Sequence, residues 1–92
     1  MTRTTIRIPG SLRELTDHAD DVAVDGATVA EALDALLGRY PGLRRHLRSE
    51  DGELREHVNV FLNADDVRSL GGPACRIEEG DVITIVPSIA GG

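Results

Sequence analysis

One stretch constrains the fold more than any other: TVAEALDALL, residues 28–37. Thr28 is a good N-cap, and Glu31 three residues on completes a capping box. Val29, Ala32, Leu33, Leu36 and Leu37 follow at i, i+3, i+4, i+7 and i+8, which is one apolar stripe. Gly38 weakens the helix and Pro41-Gly42 stops it. PGLRRHLR (residues 41–48) adds a short further helical turn, with Pro41 placed at its start. A helix with a single stripe buries against a single surface. Nothing else in the chain reads as a comparable helix, so that surface has to be a sheet.

The flanking segments supply it. TIRIP (Thr5–Pro9) alternates, with Ile6 and Ile8 on one side and Thr5 and Arg7 on the other. VAVDG (Val22–Gly26) is a second strand, with Asp25-Gly26 as a turn signal. Leu12 and Leu15, between these strands, tuck into the core. HVNVFLN (His57–Asn63) alternates again: Val58, Val60 and Leu62 share one face, and Asn59, Phe61 and Asn63 the other. NADD is a turn, and Val67 begins a short edge strand. Gly80-Asp81 is a further turn. VITIVP is the last strand, with Ile83 and Ile85 inward and Val82, Thr84 and Val86 outward. Strand, strand, helix, strand, short strand, strand is an α+β order with a single-layer sheet. The expectation is one domain over residues 1–87 and a flexible tail over 88–92.

Composition narrows the function. Sixteen acids against ten bases give a net charge of −6, which lacks the basic footprint nucleic acid requires. All ten bases are Arg. Without Lys there is no P-loop, no Schiff base and no lysine-linked modification of this chain apart from its N-terminal amine. One cysteine, Cys75, cannot form an internal disulfide. No signal peptide or long apolar run is visible, and the expected compartment is the cytoplasm, where thiols stay reduced.

Catalytic and metal-binding patterns are missing. His18, His46 and His57 have no ligand spacing and there is no CxxC, so the metal expectation is none. DHADD (Asp17–Asp21) lacks the alternating oxygen ligands of a calcium loop and reads as solvated. Cys75 reads as a small, partly buried hydrophobe. Arg44, Arg45 and Arg48 form a basic cluster on an acidic chain; a solvated helix face is the plainer reading and a partner-docking patch the other. The chain is expected not to be an enzyme by itself, and to bind no cofactor.

What remains is the ending. DVITIVPSIAGG puts Gly91-Gly92 directly after an apolar strand and a Pro. Frayed glycine-rich ends are common, so the combination matters more than the glycines. TIRIPGSLREL, the capped helix, VNVFLNADDVR and GDVITIVPSIAGG together resemble the ubiquitin-like sulfur carriers of the MoaD/ThiS family. YPGLRRHLRSEDGELREHVNVFLN is most similar to the CysO branch of that family. The resemblance covers most of the chain and implies a β-grasp fold. That fold is a mixed sheet of about four to five strands, one main helix on one face, and a free C-terminal tail.

The resemblance also implies a chemistry. The Gly92 carboxylate would be adenylated by a partner that uses ATP, then converted to a thiocarboxylate that donates sulfur. Ile89, Ala90 and Gly91 would thread the partner's channel, and glycines without Cβ suit that. Phe61, Val82, Thr84 and Val86 would form the face that docks partners; the rival reading of Phe61 is that it covers the sheet edge. Implied partners are an adenylating and sulfur-transferring enzyme, a cysteine synthase using O-phosphoserine, and a metallopeptidase that releases cysteine. The alternatives are a molybdopterin-synthase small subunit, a thiamine sulfur carrier, or a ubiquitin-like protein modifier. Neither a membrane nor a nucleic acid partner is expected.

Overall fold

The structure, a computed structural model, describes residues 2–87. Five strands and two helices follow in chain order: β1 (Thr2–Arg7), β2 (Asp21–Gly26), α1 (Val29–Arg39), α2 (Arg44–Leu47), β3 (Val58–Leu62), β4 (Asp65–Asp66) and β5 (Val82–Pro87). They build one mixed sheet in the order β2-β1-β5-β3-β4. β1 pairs antiparallel with β2 and parallel with β5, and β3 pairs antiparallel with both β5 and β4. The last strand is therefore the central one.

The apolar alternation explains which side α1 covers. Ile6, Val22, Val24, Val58, Val60, Leu62, Ile83 and Ile85 turn to one face and are buried. The five stripe residues of α1 are buried against that same cluster. The Thr28 hydroxyl accepts the Glu31 N–H at 3.2 Å, as the capping box requires. The reciprocal arm lands one residue early: the Glu31 carboxylate accepts the Ala27 N–H at 2.9 Å. Two further N–H groups of the first turn, Val29 and Ala30, donate to the carbonyls of Cys75 and Pro73. The loop before β5 thus satisfies donors that every helix start leaves open.

Three local expectations are corrected. β1 begins at Thr2 rather than Thr5 and ends at Arg7 rather than Pro9. Its polar first half is held by pairing with Val24–Gly26, and Thr4 is buried with its hydroxyl donating to the Asp81 carbonyl. Leu12 and Leu15 do pack against the core, from a 3-10 helix over Gly10–Thr16, with Leu12 buried and Leu15 partly so. Val67 does not begin a strand. Asp65–Asp66 is the edge strand, and the Asp66 carboxylate accepts the Arg68 N–H at 2.8 Å, which turns Val67–Leu70 into a 3-10 helix.

Gly26 is the third. It is not a turn glycine but the buried end of β2. A Cβ there would lie 2.9 Å from the Ala32 nitrogen and 3.1 Å from Glu31 Cβ. Its hydrogen lets α1 approach the sheet. Gly26→Ala should therefore cost about 1–3 kcal/mol by overpacking. The check is the urea midpoint, expected to fall with an unchanged slope; an unshifted midpoint would mean that α1 yields without cost.

Candidate functional site

The outer sheet face is the one α1 leaves open. In register across it lie Asp21, Arg7, Thr84, Phe61 and Asp66, one from each strand. Val82 stands beside Thr5, and Val86 beside Asn59. The four residues expected to form a docking face are thus contiguous, with Phe61 directly opposite Thr84. Val86 is 41% exposed, whereas Phe61, Val82 and Thr84 are half-buried. The result is an apolar centre with a charge on each side.

The start of β5 is clamped to the end of β3. Asn63 takes a left-handed conformation, φ 56°, which Asn tolerates better than most residues. Its side-chain oxygen accepts the Val82 N–H at 3.0 Å, and its side-chain nitrogen donates to Asp81 Oδ1 at 3.1 Å. Its own N–H donates to the Val82 carbonyl at 2.7 Å. The other Asp81 oxygen accepts the Glu78 N–H at 2.8 Å, closing the turn through Gly80, φ 87°. Register follows: once Val82 is placed beside Asn63, Thr84 falls beside Phe61 and Pro87 beside Val58. Sequence reasoning found the two turns but not this bond between them. Arg68 was missed as well. Its guanidinium donates to Asn59 Oδ1 at 3.1 Å and to the Val58 carbonyl at 3.1 Å, bracing the other end of β3.

Gly92, with Ile89, Ala90 and Gly91, lies outside the described residues. Pro87, the last of them, sits at the end of the central strand. Cys75 is half-buried against the core, and burial pushes its thiol above the ordinary range. It is therefore protonated at neutral pH. Among the described residues no three His, Cys, Asp or Glu side chains gather as a metal site, and no helix is long and apolar enough to cross a membrane. The Arg44, Arg45 and Arg48 cluster divides: Arg44 and Arg45 are exposed, while Arg48 is largely covered and paired with Asp34 at 2.7 Å.

Residues 6–92 match the ThiS family. The chain belongs to the ThiS family. Among its relatives is the sulfur carrier protein CysO of Mycobacterium tuberculosis, 38% identical over 90 residues that span 96% of this chain and 97% of that protein. Small archaeal modifier protein 3 of Haloferax volcanii is 43% identical over 68 residues, 74% of this chain and 73% of that one. One chain of the Amycolatopsis orientalis BexX/CysO complex superposes with a TM-score of 0.87 at 38% identity, covering 97% of this chain and 99% of that chain. The fold of this ThiS member is accordingly the ubiquitin-like β-grasp; the mixed sheet of about four to five strands that the resemblance implied has five among the described residues.

Two outcomes test the site's physical account. Asn63→Ala removes two hydrogen bonds and forces alanine into the left-handed region, and should cost about 1–3 kcal/mol. Asn63→Gly removes only the bonds and should recover about 1 kcal/mol of that. Equal losses in thermal unfolding would show that the backbone conformation carries nothing. Separately, Cys75 should alkylate near neutral pH more slowly than an unstructured cysteine peptide, and accelerate as pH rises past the ordinary thiol range. Matching rates would contradict the burial.

Proposed function

We propose that this chain is a sulfur carrier of the CysO type, acting as the co-substrate of partner enzymes rather than as a catalyst. The observation that carries the reading is the ThiS-family match running through Gly92, together with 38% identity over nearly the whole of CysO. A carboxylate is a poor electrophile. Reaction of the Gly92 carboxylate with ATP would form an acyl-adenylate and release pyrophosphate. Attack by a sulfide-class donor would then form the C–S bond, expel AMP and leave a thiocarboxylate, –COS⁻. Its sulfur is nucleophilic, and the acceptor we favour is an intermediate made from O-phosphoserine on a cysteine synthase. An acyl shift to the new amine would leave cysteine on Gly92, for release by a metallopeptidase.

The described residues support a division of labour. The domain presents the apolar centre of Val82, Thr84, Val86 and Phe61, which suits docking an adenylating enzyme. Ile89, Ala90 and Gly91 would carry the carboxylate into its channel, where small misplacements cost rate steeply. A protein-modifier role is a second reading, favoured by the 43% identity to small archaeal modifier protein 3. With no Lys in the chain, such a tag could not form lysine-linked chains of itself.

The test is the intact mass of protein ending at a free Gly92, before and after incubation with ATP, an adenylating partner from the same cell and sulfide. The expected shift equals one oxygen replaced by sulfur and vanishes when Gly92 is deleted. No shift and no AMP adduct, with a partner active on another carrier, would overturn the reading. Isopeptide ladders on other proteins would instead favour the modifier. In the same assay, Phe61→Ala or Val86→Asp should weaken the adenylating partner roughly tenfold with folding unchanged; unchanged binding would remove these residues from the interface.

A further inference from the structure

The arginine cluster has a geometry that the carrier reading leaves unused. A groove of about 660 Å³ runs along α2, lined by Arg44, Arg45, Arg48 and Arg55, with Leu15 in its wall and Glu50 as its acid. Gly42 and Leu15 both line it, and a Cβ on Gly42 would lie 3.5 Å from Leu15 Cδ2. Arg55 is tied down. Its N–H donates to the Leu47 carbonyl at 2.9 Å and its Nε to the Arg45 carbonyl at 2.7 Å. Arg48 is held by Asp34. Arg44 and Arg45 are exposed, and neither guanidinium has a hydrogen-bond or ion-pair partner among the described residues. Four of the ten arginines of a chain with net charge −6 thus converge on one groove with an apolar wall.

Its position is as informative as its charge. Leu15 belongs to the 3-10 helix that follows β1, whose last residue, Arg7, stands beside Thr84. The Arg55 carbonyl accepts the Val58 N–H at 3.0 Å, and Val58 lies opposite Pro87. The groove therefore opens at the end of the sheet where β5 finishes, on the helix side. The face of Phe61 and Val86 lies on the other side of the same end.

We infer that this groove is a second docking element, which takes an acidic segment with interspersed apolar residues on the enzyme that receives the tail. The inference rests on the carrier reading and names the chemistry of its partner. An acidic chain is repelled by an acidic partner in most orientations. One basic groove at the end of the sheet where β5 finishes selects one orientation of the partner against that end. Rim charges of this kind act on encounter and salt dependence more than on the bound state.

Arg44→Glu and Arg45→Glu alter exposed positions without internal partners, so the fold is preserved. Arg76→Glu makes the same charge change near Thr28, at the opposite end of α1, and serves as the control. In the adenylation assay the double groove variant should raise the KM for this chain on the order of tenfold at low salt. Its kcat should be unchanged, and its difference from wild type should shrink as salt rises. Arg76→Glu should leave KM within twofold. An unmoved KM, or an equal rise with Arg76→Glu, overturns the inference while thiocarboxylate formation still upholds the carrier reading. Should wild-type protein not be adenylated at all, that reading fails, and a peptide decides the inference alone. A short repeat of Glu-Glu-Leu titrated into the full chain should shift backbone amides of residues 42–55 in wild type, and not in the double variant. Shifts elsewhere, no shifts, or equal shifts with a Gln-Gln-Leu repeat would overturn it.

Discussion

The structure depends on one placement: the last strand of the chain is the middle strand of the sheet. β5 pairs with β1 on one side and β3 on the other, so both of its backbone edges are occupied. Thr5 meets Val82 across most of the sequence, which makes the sheet's central seam its most non-local contact. Such a seam closes late, because the loop entropy must be overcome before the pairing contributes. Asn63, Asp81 and the buried Thr4 hydroxyl hold the strand where it enters that seam. Pro87 thus ends a strand restrained along both edges, at a fixed point of the sheet.

The two faces divide the remaining work. With one Tyr, one Phe and no Trp, the core is aliphatic. It fills by close approach instead of bulk, and Gly26 is where that approach is tightest. Spending nearly every large apolar residue inward leaves the outer face modest. Only Leu70 and Val86 stand out as exposed large hydrophobics among the described residues. Phe61 is the exception placed outward, and strand order sets it beside Thr84 rather than at an edge. Its ring stands with Val82 and Val86 in the apolar centre of the outer face.

Much of this was legible in the residues. The α1 stripe, the faces of β3 and β5, the turn after β3 and the turn before β5 came from periodicity and turn chemistry. Periodicity assigns a residue to a face, but it does not say which strand lies alongside. The neighbours of Phe61 therefore came only from family resemblance. The first half of β1 was hidden because Thr2–Thr4 carries no apolar signal, and its reason to be a strand lies in β2 and Asp81, far away in sequence. Gly26 looked like punctuation because Asp-Gly usually is; the steric demand comes from Ala32 and Glu31. Arg48 and Arg55 could not be told from solvated arginines, since their partners, Asp34 and the α2 carbonyls, converge only on folding. The role of the tail was read from the family resemblance, with carboxylate chemistry in agreement.

That chemistry throws light on the choice of arginine throughout. Under the carrier reading the chain's end becomes an acyl-adenylate, an electrophile that any nearby amine can intercept. A lysine amine beside the tail would be such a nucleophile in its neutral form, and an amide there would end the carrier's cycle. A guanidinium stays protonated and is not nucleophilic at any physiological pH. The one thiol among the described residues is pushed toward its protonated form by burial, so it too is a poor competitor. Positive charge can then be carried on this chain, by Arg44, Arg45 and Arg55 among others, without adding a group that would consume the activated end. Charge for recognition and inertness toward the bound electrophile are the same requirement, and arginine is the side chain that meets both.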